Sequence, residues 1–460
     1  MLLKKLKNKR ILILGLGREG LATLKFLSKH VKGVELAVAD QQSAAAISKL
    51  LKRNKLKVWK IQAGQTYLKG LNEYDVIFKT PGINLRLPEI KKAVKQGVAL
   101  SSATNLFFAN CPGKIIAVTG SKGKTTTANL LYRVLKTAKL PVELVGNMGH
   151  PALDYLNLKR KNKLYVYELS SYQAEDLRFA PTIGLITSFF PEHLDYHGSL
   201  NAYLQAKLKV VSLMNKKGVV VYSPAYKKLA HAIEKLPCRK LTFNDDRHSK
   251  LAAGTLYYKG VEIVKAKDLK LIGAHNYQNV LAVIKIARFL KVPKAVIKKA
   301  LITFEPLEHR LEPVGTFTGI TFYNDAISTT PESAMAAIRA VPQKIGTIIL
   351  GGLDRGYHFD KLAKLILQTR ISNVILFPGS GPRIWQALLT QAKKFGYTLP
   401  HKVQVKNMQE CVREAYRRTA PWTICLLSTA SPSYNMFLNF EEKGRIFKAE
   451  VRKQAIRRKP

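Results

Sequence analysis

The sequence predicts an α/β protein in which short parallel strands alternate with helices over three domains. Short apolar runs recur along the whole chain, and stretches with helical periodicity separate them. A glycine-rich turn follows two of these runs, first at Gly15 and again at Gly120. The length of 460 residues exceeds one ordinary core and suggests about three domains.

Two breaks in the pattern set the predicted boundaries. Asn110-Cys111-Pro112-Gly113 is typical of a linker, and a second break lies near Phe304-Glu305-Pro306-Leu307. We therefore predict a Rossmann-like N-terminal domain over 1–110, a central P-loop ATPase-like α/β domain over 111–308 and a C-terminal Rossmann-like α/β domain over 309–460. The tail from Arg452 to Pro460 is expected to fray.

The apolar runs give the individual strands. In the first domain they predict strands at Ile11–Leu14, Val34–Val38, Val76–Phe78 and Ala99–Leu100. In the central domain they predict strands at Ile115–Val118, Leu164–Tyr167 and Ile183–Thr187, and a helix over Ala128–Leu135. In the third domain they predict strands at Thr347–Leu350, Val374–Phe377 and Thr423–Leu427.

The composition limits the class of protein. Lys and Arg outnumber Asp and Glu by 76 to 30, a net charge of +46. Nucleic-acid binding is one interpretation, but the basic residues are spread through all regions, as in an enzyme with solvated lysine faces. The four cysteines lie far apart, which favours neither a zinc site nor disulfides, so we expect a reduced, cytoplasmic protein. No apolar run approaches the roughly 20 residues that span a bilayer.

The first glycine-rich turn fits a dinucleotide fingerprint. Gly15-Leu16-Gly17-Arg18-Glu19-Gly20 follows the first strand directly, and Asp40 ends the second strand. In such folds the turn holds a pyrophosphate and the acid binds a ribose hydroxyl. An NAD-dependent oxidoreductase is therefore one hypothesis, and a plain tight turn is the alternative.

The second glycine-rich turn has the layout of a phosphate-binding loop, and an ordinary surface loop is the alternative. Gly120, Gly123, Lys124 and Thr125 stand between an apolar strand and a helix, although Val118 occupies the place of the first glycine of the full motif. Backbone N–H groups and the helix N-terminus would face phosphates, Lys124 would supply a charge near the β- and γ-phosphates, and Thr125 would bind Mg²⁺. A nucleotide-diphosphate substrate on the first domain and ATP on the second would satisfy both turns.

Four further features lie in the central domain. Glu168 ends a strand beside the phosphate loop, where a Mg²⁺ ligand belongs, and a capping role is the alternative. Glu192-His193-Leu194-Asp195 follows another strand, and its histidine is either a ligand, a base or a structural residue. Lys207 stands on a helix, where a solvated lysine is the ordinary interpretation. His275 to Asn279 open another helix, where asparagines meet a purine or cap the helix.

Taken in order, these residues resemble the Mur ligase family, ATP-dependent amide-bond-forming enzymes of peptidoglycan precursor synthesis. The resemblance covers essentially the whole chain. In the third domain it continues at His309-Arg310, Asn324-Asp325, Gly351–Gly356, Ser433 and Asn439–Glu441. Gly15-Leu16-Gly17, Thr80-Pro81-Gly82-Ile83 and Gly146-Asn147-Met148-Gly149 are similar to the subtype that adds glutamate to UDP-N-acetylmuramoyl-L-alanine.

The resemblance implies a role for each matching residue. The catalytic set would be Lys124, Glu168, His193 and Lys207. The ATP-binding set would be Gly120, Ser121, Lys122, Gly123, Lys124, Thr125, Thr126, Asn279, Arg310 and Asp325. The set for the UDP substrate would be Leu16, Gly17, Asp40, Thr80, Asn147 and His193. Arg355, Ser433 and Phe440 would surround glutamate. Thr125, Glu168 and Lys207, the last carbamylated by CO₂, would ligand two Mg²⁺ ions.

In the implied reaction, ATP converts the substrate carboxylate to an acyl phosphate. The amine of glutamate then attacks this acyl phosphate.

The chain departs from the family pattern at Ser188, at Glu192, at Gln41-Gln42 and at Ile327, where a glutamate-site lysine is missing. D-glutamate is the favoured substrate and L-glutamate its rival. A folylpolyglutamate-type ligase and a basic nucleic-acid-binding NTPase are the alternatives. We expect a monomer with small-molecule substrates and neither a specific nucleic acid nor a membrane as partner.

Overall fold

The N-terminal region folds as a five-stranded parallel sheet in the strand order β3-β2-β1-β4-β5. The computed structural model describes residues 1–147, 151–192, 194–245, 249–271, 273–341 and 343–458. The strands are β1 Arg10–Leu14, β2 Glu35–Asp40, β3 Lys60–Ala63, β4 Val76–Lys79 and β5 Ala99–Ser102. The helices are α1 Arg18–His30, α2 Ala44–Arg53, α3 Pro88–Lys95 and α4 Ala103–Asn110, with 3₁₀ turns at Leu3–Lys5, Gly64–Thr66 and Leu71–Glu73.

This strand order places a switch point between β1 and β4. Both strands are short runs of buried apolar residues, the pattern of a sheet covered on two faces. The chain leaves β1 toward β2 on one side and returns to β4 on the other, so a crevice opens at the carboxyl ends. Leu14 pairs with Lys79 in the register, which brings the turns after these two strands together.

A six-stranded parallel sheet follows, in the order β11-β10-β9-β6-β8-β7. Its strands are β6 Lys114–Thr119, β7 Val142–Gly146, β8 Leu164–Glu168, β9 Ile183–Ile186, β10 Val219–Tyr222 and β11 Arg239–Thr242. Its helices are α5 Lys124–Thr137, α6 Ser171–Ala174, α7 Leu194–His197, α8 Leu200–Ser212 and α9 Lys227–Glu234, with a 3₁₀ turn at Ala152–Tyr155. β6 lies between β8 and β9, so the ends of these two strands flank the loop after Thr119.

A small antiparallel sheet, absent from the sequence prediction, follows β11. It consists of β12 Ser249–Ala252, β13 Thr255–Tyr258 and β14 Val261–Lys265, followed by a 3₁₀ turn at Ala266–Asp268. Gly254 and Gly260 form the two tight turns with positive φ. The long helix α10 Ala274–Phe289 and helix α11 Lys294–Ile302 come next.

The C-terminal region forms a third large sheet, in the order β15-β16-β20-β17-β18-β19. Its strands are β15 Glu312–Phe317, β16 Ile320–Asn324, β17 Ile345–Gly352, β18 Asn373–Gly379, β19 His401–Gln404 and β20 Ile424–Leu427. Only β15 runs antiparallel to its neighbour within this sheet. The helices are α12 Pro331–Ala340, α13 Asp360–Gln368, α14 Gly381–Phe395, α15 Met408–Arg418 and α16 Phe440–Arg457.

Contacts divide the chain into two compact units. Residues 1–269 and 275–304 form the first, and 270–274 and 305–460 form the second. One apolar cluster runs without a break from the first sheet to the second, and α4 contributes Phe107 and Phe108 to its centre. Phe107 makes edge contacts with Tyr165 and Tyr167 of β8, at ring-centroid distances of 5.1 and 5.3 Å. The first two sheets therefore share a core.

The predicted three-domain α/β fold is confirmed, whereas the boundaries at 110 and 308 stay predictions. The expectation of a frayed tail from Arg452 is wrong. Helix α16 continues to Arg457, because Val451 and Ala455 on one face are buried against the third sheet. Among the described residues, no helix has the length and the apolar character needed to cross a membrane.

Candidate active site

The loop between β6 and α5 is shaped by two glycines in the left-handed region. Gly120 has φ 150° and Gly123 has φ 82°. A Cβ atom at Gly120 would lie 2.0 Å from Thr187 Oγ1, and one at Gly123 would lie 2.3 Å from Asn279 Oδ1. Glycine is therefore required at both positions for steric reasons as well as for φ. Helix α5 starts at Lys124, so its free N–H groups point toward the loop.

The end of β9 braces this loop. Ser188 accepts the N–H of Lys122 on its Oγ at 2.8 Å, and its carbonyl accepts the N–H of Ser121 at 2.9 Å. Thr187 Oγ1 donates to Lys122 O at 2.6 Å. Sequence reasoning missed Thr187 and noted Ser188 only as a departure. Their position at the carboxyl end of a strand beside β6 is the signal that would have found them.

Two lysine side chains converge on one carbonyl of the loop. Lys124 Nζ donates to Gly120 O at 2.9 Å and to Ser121 O at 2.9 Å. Lys207, which is 1% exposed, donates from its Nζ to the same Gly120 O at 2.7 Å. Helix α8 carries Lys207, together with Tyr203 one turn earlier. Lys207 is therefore not a solvated surface lysine but a buried residue that contacts the loop.

The surroundings of Lys207 lower the pKa of its side-chain amine. Burial, and then the neighbouring Lys124 ammonium, lower the pKa of Lys207 well below its usual value. The Tyr203 ring lies 4.4 Å from Lys207 Nζ, and the Tyr203 hydroxyl donates to Ser121 Oγ at 3.0 Å. Tyr203 therefore supports both the loop and the lysine. A lowered pKa shifts the balance of Lys207 toward the neutral amine, which is the nucleophilic form.

Glu168 places a carboxylate next to the start of α5. Register pairing sets Glu168 beside Val118, and its side chain is 1% exposed. Its Oε1 accepts Thr125 Oγ1 at 3.1 Å and Asn147 Nδ2 at 3.2 Å. One carboxylate and one hydroxyl beside a phosphate loop fit Mg²⁺, which keeps waters and takes phosphate oxygens as further ligands. No cluster of three His, Cys, Asp or Glu side chains suited to a metal occurs in the described part of the chain.

Other predicted residues of the central site surround the loop. Asn279 packs against Gly123, and its Nδ2 donates to Asn276 Oδ1 at 3.2 Å. Lys122 forms an ion pair with Glu192. Thr126 is buried in the first turn of α5. His193 lies outside the described residues, as do Met148 and Gly149 of the subtype motif.

Four of the six residues predicted for the UDP substrate, Leu16, Gly17, Asp40 and Thr80, lie together at the carboxyl ends of β1, β2 and β4. Asp40 Oδ2 accepts the N–H of Leu16 at 2.6 Å, so the acid ties the end of β2 to the turn after β1. Gly17 caps α1, whose N-terminus faces this turn. A Cβ atom at Gly15 would lie 2.2 Å from Thr80 Oγ1, which shows how closely the turn after β4 approaches.

In the second compact unit, Asp325 is fully enclosed at the end of β16. Its Oδ2 accepts Ser428 Oγ at 2.8 Å and its Oδ1 accepts the N–H of Leu311 at 3.2 Å. Burial raises the pKa of Asp325 to about 6, and Arg310 is among the groups that oppose the rise. The two residues predicted to reach ATP from this domain therefore interact electrostatically.

Sequence reasoning missed Lys443, which lies in the same region. Lys443 is 1% exposed on α16, and its Nζ donates to Thr429 Oγ1 at 2.6 Å. Burial lowers the pKa of Lys443 to about 7 although Asp325 opposes the shift. Spacing within an amphipathic helix gave no reason to expect a lysine on the buried face.

The three residues predicted for glutamate differ in their surroundings. Arg355 is exposed in the segment between β17 and α13, next to Asp354, which Arg383 holds at 2.6 Å. Ser433 is buried, and its Oγ finds no hydrogen-bond partner among the described residues. Phe440 starts α16 and makes an edge contact with His309 at a ring-centroid distance of 6.1 Å. Their roles in binding glutamate stay predictions.

Comparison with known families identifies two regions of the chain. Residues 118–287 match the Mur ligase middle domain, and residues 9–102 match the N-terminal domain described as Mur ligase MurD-like. The second match covers the sheet with the Leu16–Asp40 contact, and the first covers the phosphate loop, Glu168 and Lys207.

Relatives that match over nearly the whole chain carry the names of Mur ligases as well. The UDP-N-acetylmuramoylalanine–D-glutamate ligase of Acetivibrio thermocellus is 31% identical over 97% of both chains. The enzyme of that name from Streptococcus uberis is 32% identical over 96% of both. Among solved structures, the UDP-N-acetylmuramate-alanine ligase of Thermotoga maritima superposes with a TM-score of 0.59 at 21% identity, covering 97% of this chain and 100% of that one. The MurF ligase of the same organism, solved with ADP, gives 0.60 at 14% identity, covering 98% and 97%.

Proposed function

The chain belongs to the Mur ligase family, and on that premise we propose that it joins D-glutamate to UDP-N-acetylmuramoyl-L-alanine, with conversion of ATP to ADP and phosphate. The observation that carries the proposal is the phosphate loop flanked by Glu168 on one strand and by Lys207 on a helix. The names of the full-length relatives support the choice of substrates.

The proposed reaction has two steps. The alanine carboxylate of the UDP substrate attacks the γ-phosphoryl group, ADP leaves, and an acyl phosphate forms. The amine of glutamate then attacks the acyl carbon and loses a proton, and inorganic phosphate leaves. Lys124 and the N–H groups at the start of α5 stabilise the negative charge on the transferred group, the largest contribution expected in phosphoryl transfer.

Mg²⁺ would be held by Thr125 and Glu168, with a second ion at a carbamate on Lys207. When bound, the metal neutralises phosphate charge. Two observations support carbamylation: burial lowers the pKa of Lys207, and a second lysine lies beside it. Lys124 and Lys207 share the Gly120 carbonyl, so two ammonium groups would repel one another there. Addition of CO₂ to the neutral amine of Lys207 forms an N–C bond, releases a proton and turns this pair into opposite charges.

The UDP group would bind at Leu16, Gly17, Asp40 and Thr80, in the crevice that the switch point opens, with Asn147 and His193 nearer the reacting end. ATP would lie on residues 120–126 and Asn279, with Arg310 and Asp325 contributed by the C-terminal domain. Arg355, Ser433 and Phe440 would take glutamate. The proposed protein is a cytoplasmic monomer that acts on small molecules without a specific nucleic acid.

A substrate panel tests the proposed function. We expect phosphate release from ATP to require UDP-N-acetylmuramoyl-L-alanine and D-glutamate together. Release with L-glutamate in place of D-glutamate would reassign the enantiomer, consistent with Ile327 standing where a lysine is common in the family. Release stimulated by DNA or RNA without the UDP substrate would contradict the proposal and favour a nucleic-acid-dependent NTPase. Phosphate release with a folate acceptor in place of the UDP substrate would contradict the proposal and favour a folylpolyglutamate-type ligase.

Arg355→Ala is expected to raise the KM for glutamate at least about tenfold while the KM for ATP changes little. A guanidinium binds a carboxylate through two parallel hydrogen bonds, and Ile327 cannot share that load. Steady-state kinetics with each substrate varied in turn provide the measurement. Arg417→Ala, an exposed arginine on α15 that pairs with Glu414, is the matched control. An unchanged glutamate KM in Arg355→Ala would remove Arg355 from the proposed site.

A further inference from the structure

Acidic residues are scarce in this chain, yet several meet where the first sheet adjoins the second. Glu19 is in the first turn of α1, and Glu175 and Asp176 follow α6 in the central domain. Lys79 ends β4 and is 2% exposed. Asp176, Glu175 and Glu19 all act to raise the pKa of Lys79, against the larger lowering by burial. Carboxylates of two domains thus act electrostatically on the buried Lys79.

Lys79 also holds the turn that follows it. Its Nζ donates to Ile83 O at 3.3 Å, across the turn that starts with Thr80. At the other end of this segment, which we call the 80–86 loop, Arg86 donates to Glu175 Oε1 at 2.6 Å and to Tyr196 O at 2.5 Å. Lys79 therefore holds the turn at the start of the loop, and Arg86 ties the other end of the loop to the central domain.

Hydrogen bonds connect Glu19 of the first domain to the end of β8, the strand that carries Glu168. Gln173 donates to Glu19 through its Nε2, and its Oε1 accepts the N–H of Ser170 at 2.9 Å. Ser170 is two residues beyond Glu168. Asn105 of α4 adds a neutral link, donating to Asp176 O at 2.9 Å. The polar contacts thus run from the predicted UDP turn to the end of β8.

We propose that Lys79 is a positioning residue that fixes the turn of the 80–86 loop, and with it the UDP end of the substrate, while Arg86 holds the far end of the loop on the central domain. The inference rests on the proposed function, because it assumes that Thr80 contacts the UDP group. A substrate held at one end by this loop reaches the phosphate loop only when the two lie at a fixed separation. Binding energy at the remote end then orients the reacting carboxylate.

Lys79→Met removes the charge and keeps the length of the side chain. We expect the KM for UDP-N-acetylmuramoyl-L-alanine to rise about tenfold or more, while the KM for ATP and for glutamate stays within about twofold. Calorimetric titration of the UDP substrate, without ATP, should show the same loss of affinity. Lys79→Arg should restore part of it, because it returns the charge.

The matched control is Lys9→Met. Lys9 lies just before β1 of the same sheet and pairs with Asp75 at 3.1 Å, but this pair is exposed. We expect it to leave all three KM values unchanged. If Lys79→Met does not fold, Lys79→Met combined with Asp176→Asn removes both signs of charge and lets the same kinetics be measured.

The outcomes separate the two proposals. A wild-type protein that neither binds nor consumes the UDP substrate contradicts the proposed function itself. An active wild type with a Lys79→Met variant that loses thermal stability but keeps its KM for the UDP substrate shows a purely structural lysine and overturns this inference. An equal rise of all three KM values would overturn it too.

Discussion

Lys124→Ala is expected to lower the turnover number about a thousandfold, equivalent to about 4 kcal/mol in the activation barrier. The Lys124 ammonium lies on the carbonyls of Gly120 and Ser121, at the mouth of the loop that would hold the phosphates. Its positive charge stabilises the transition state of γ-phosphoryl transfer more than the bound substrates. The loss should therefore appear in kcat. The measurement is ATP-dependent ligation under saturating substrates.

The fold should survive this change. Thr187 and Ser188 hold the loop through contacts that do not involve Lys124, so the thermal midpoint should move little. Lys136→Ala, an exposed lysine in the last turn of the same helix, is the control and should keep full activity. A Lys124→Ala enzyme with near-normal turnover would show that residues 120–126 do not bind the transferred phosphate.

Lys207→Ala should lose at least about two orders of magnitude in activity and recover part of it in added acetate. The substitution removes the carbamate that we propose as a metal ligand, and a small carboxylate can enter the vacated space and supply an anion. Wild-type activity should also fall when CO₂ and bicarbonate are removed and return when they are restored. Mass spectrometry under conditions that preserve carbamates should find the added mass on Lys207.

Lys209→Ala provides the matched control on the same helix, and acetate should not affect it. A free amine at position 207 together with an unimpaired Lys207→Ala enzyme would contradict carbamylation. Loss of activity without rescue, in a variant that folds normally and a wild type indifferent to CO₂, would instead make Lys207 a direct contact of the loop carbonyl.

Local pattern was sufficient for ten of the twenty described strands and for the glycine-rich loop after β6. The run Ile115–Val118 predicted β6, because a strand covered on both faces by helices is uniformly apolar. The predicted helix at Ala128–Leu135 is part of the longer α5, which begins at Lys124 because the loop glycines position its first turn. The strands that escaped prediction are β3, β7, β10, β11, β12–β14, β15, β16 and β19. Most of their residues, as in β3 and β12, are half-buried or polar and lack a clear period. The apolar run of β10 was a local signal that the sequence analysis did not use.

Contacts between distant segments could not be predicted from spacing alone. Nothing in the residues around Lys207 places its Nζ on the carbonyl of Gly120, 87 residues earlier. The same holds for Arg86 and Glu175, which form an ion pair although 89 positions separate them in the sequence. A family resemblance supplied a role for Lys207, but it gave no reason to single out Lys79, Tyr203 or Lys443.

The shared core of the first two sheets has a practical meaning for engineering. Aromatic side chains of α4 interlock with β8, so replacing residues 1–110 alone would cut through packed side chains. Residues 305–460 instead carry two apolar clusters of their own. This part of the chain is therefore suited to exchange as a unit. With glutamate bound at Arg355, Ser433 and Phe440 as proposed, we expect a chimera that takes residues 305–460 from a relative with a different amino-acid substrate to change the amino acid that is added.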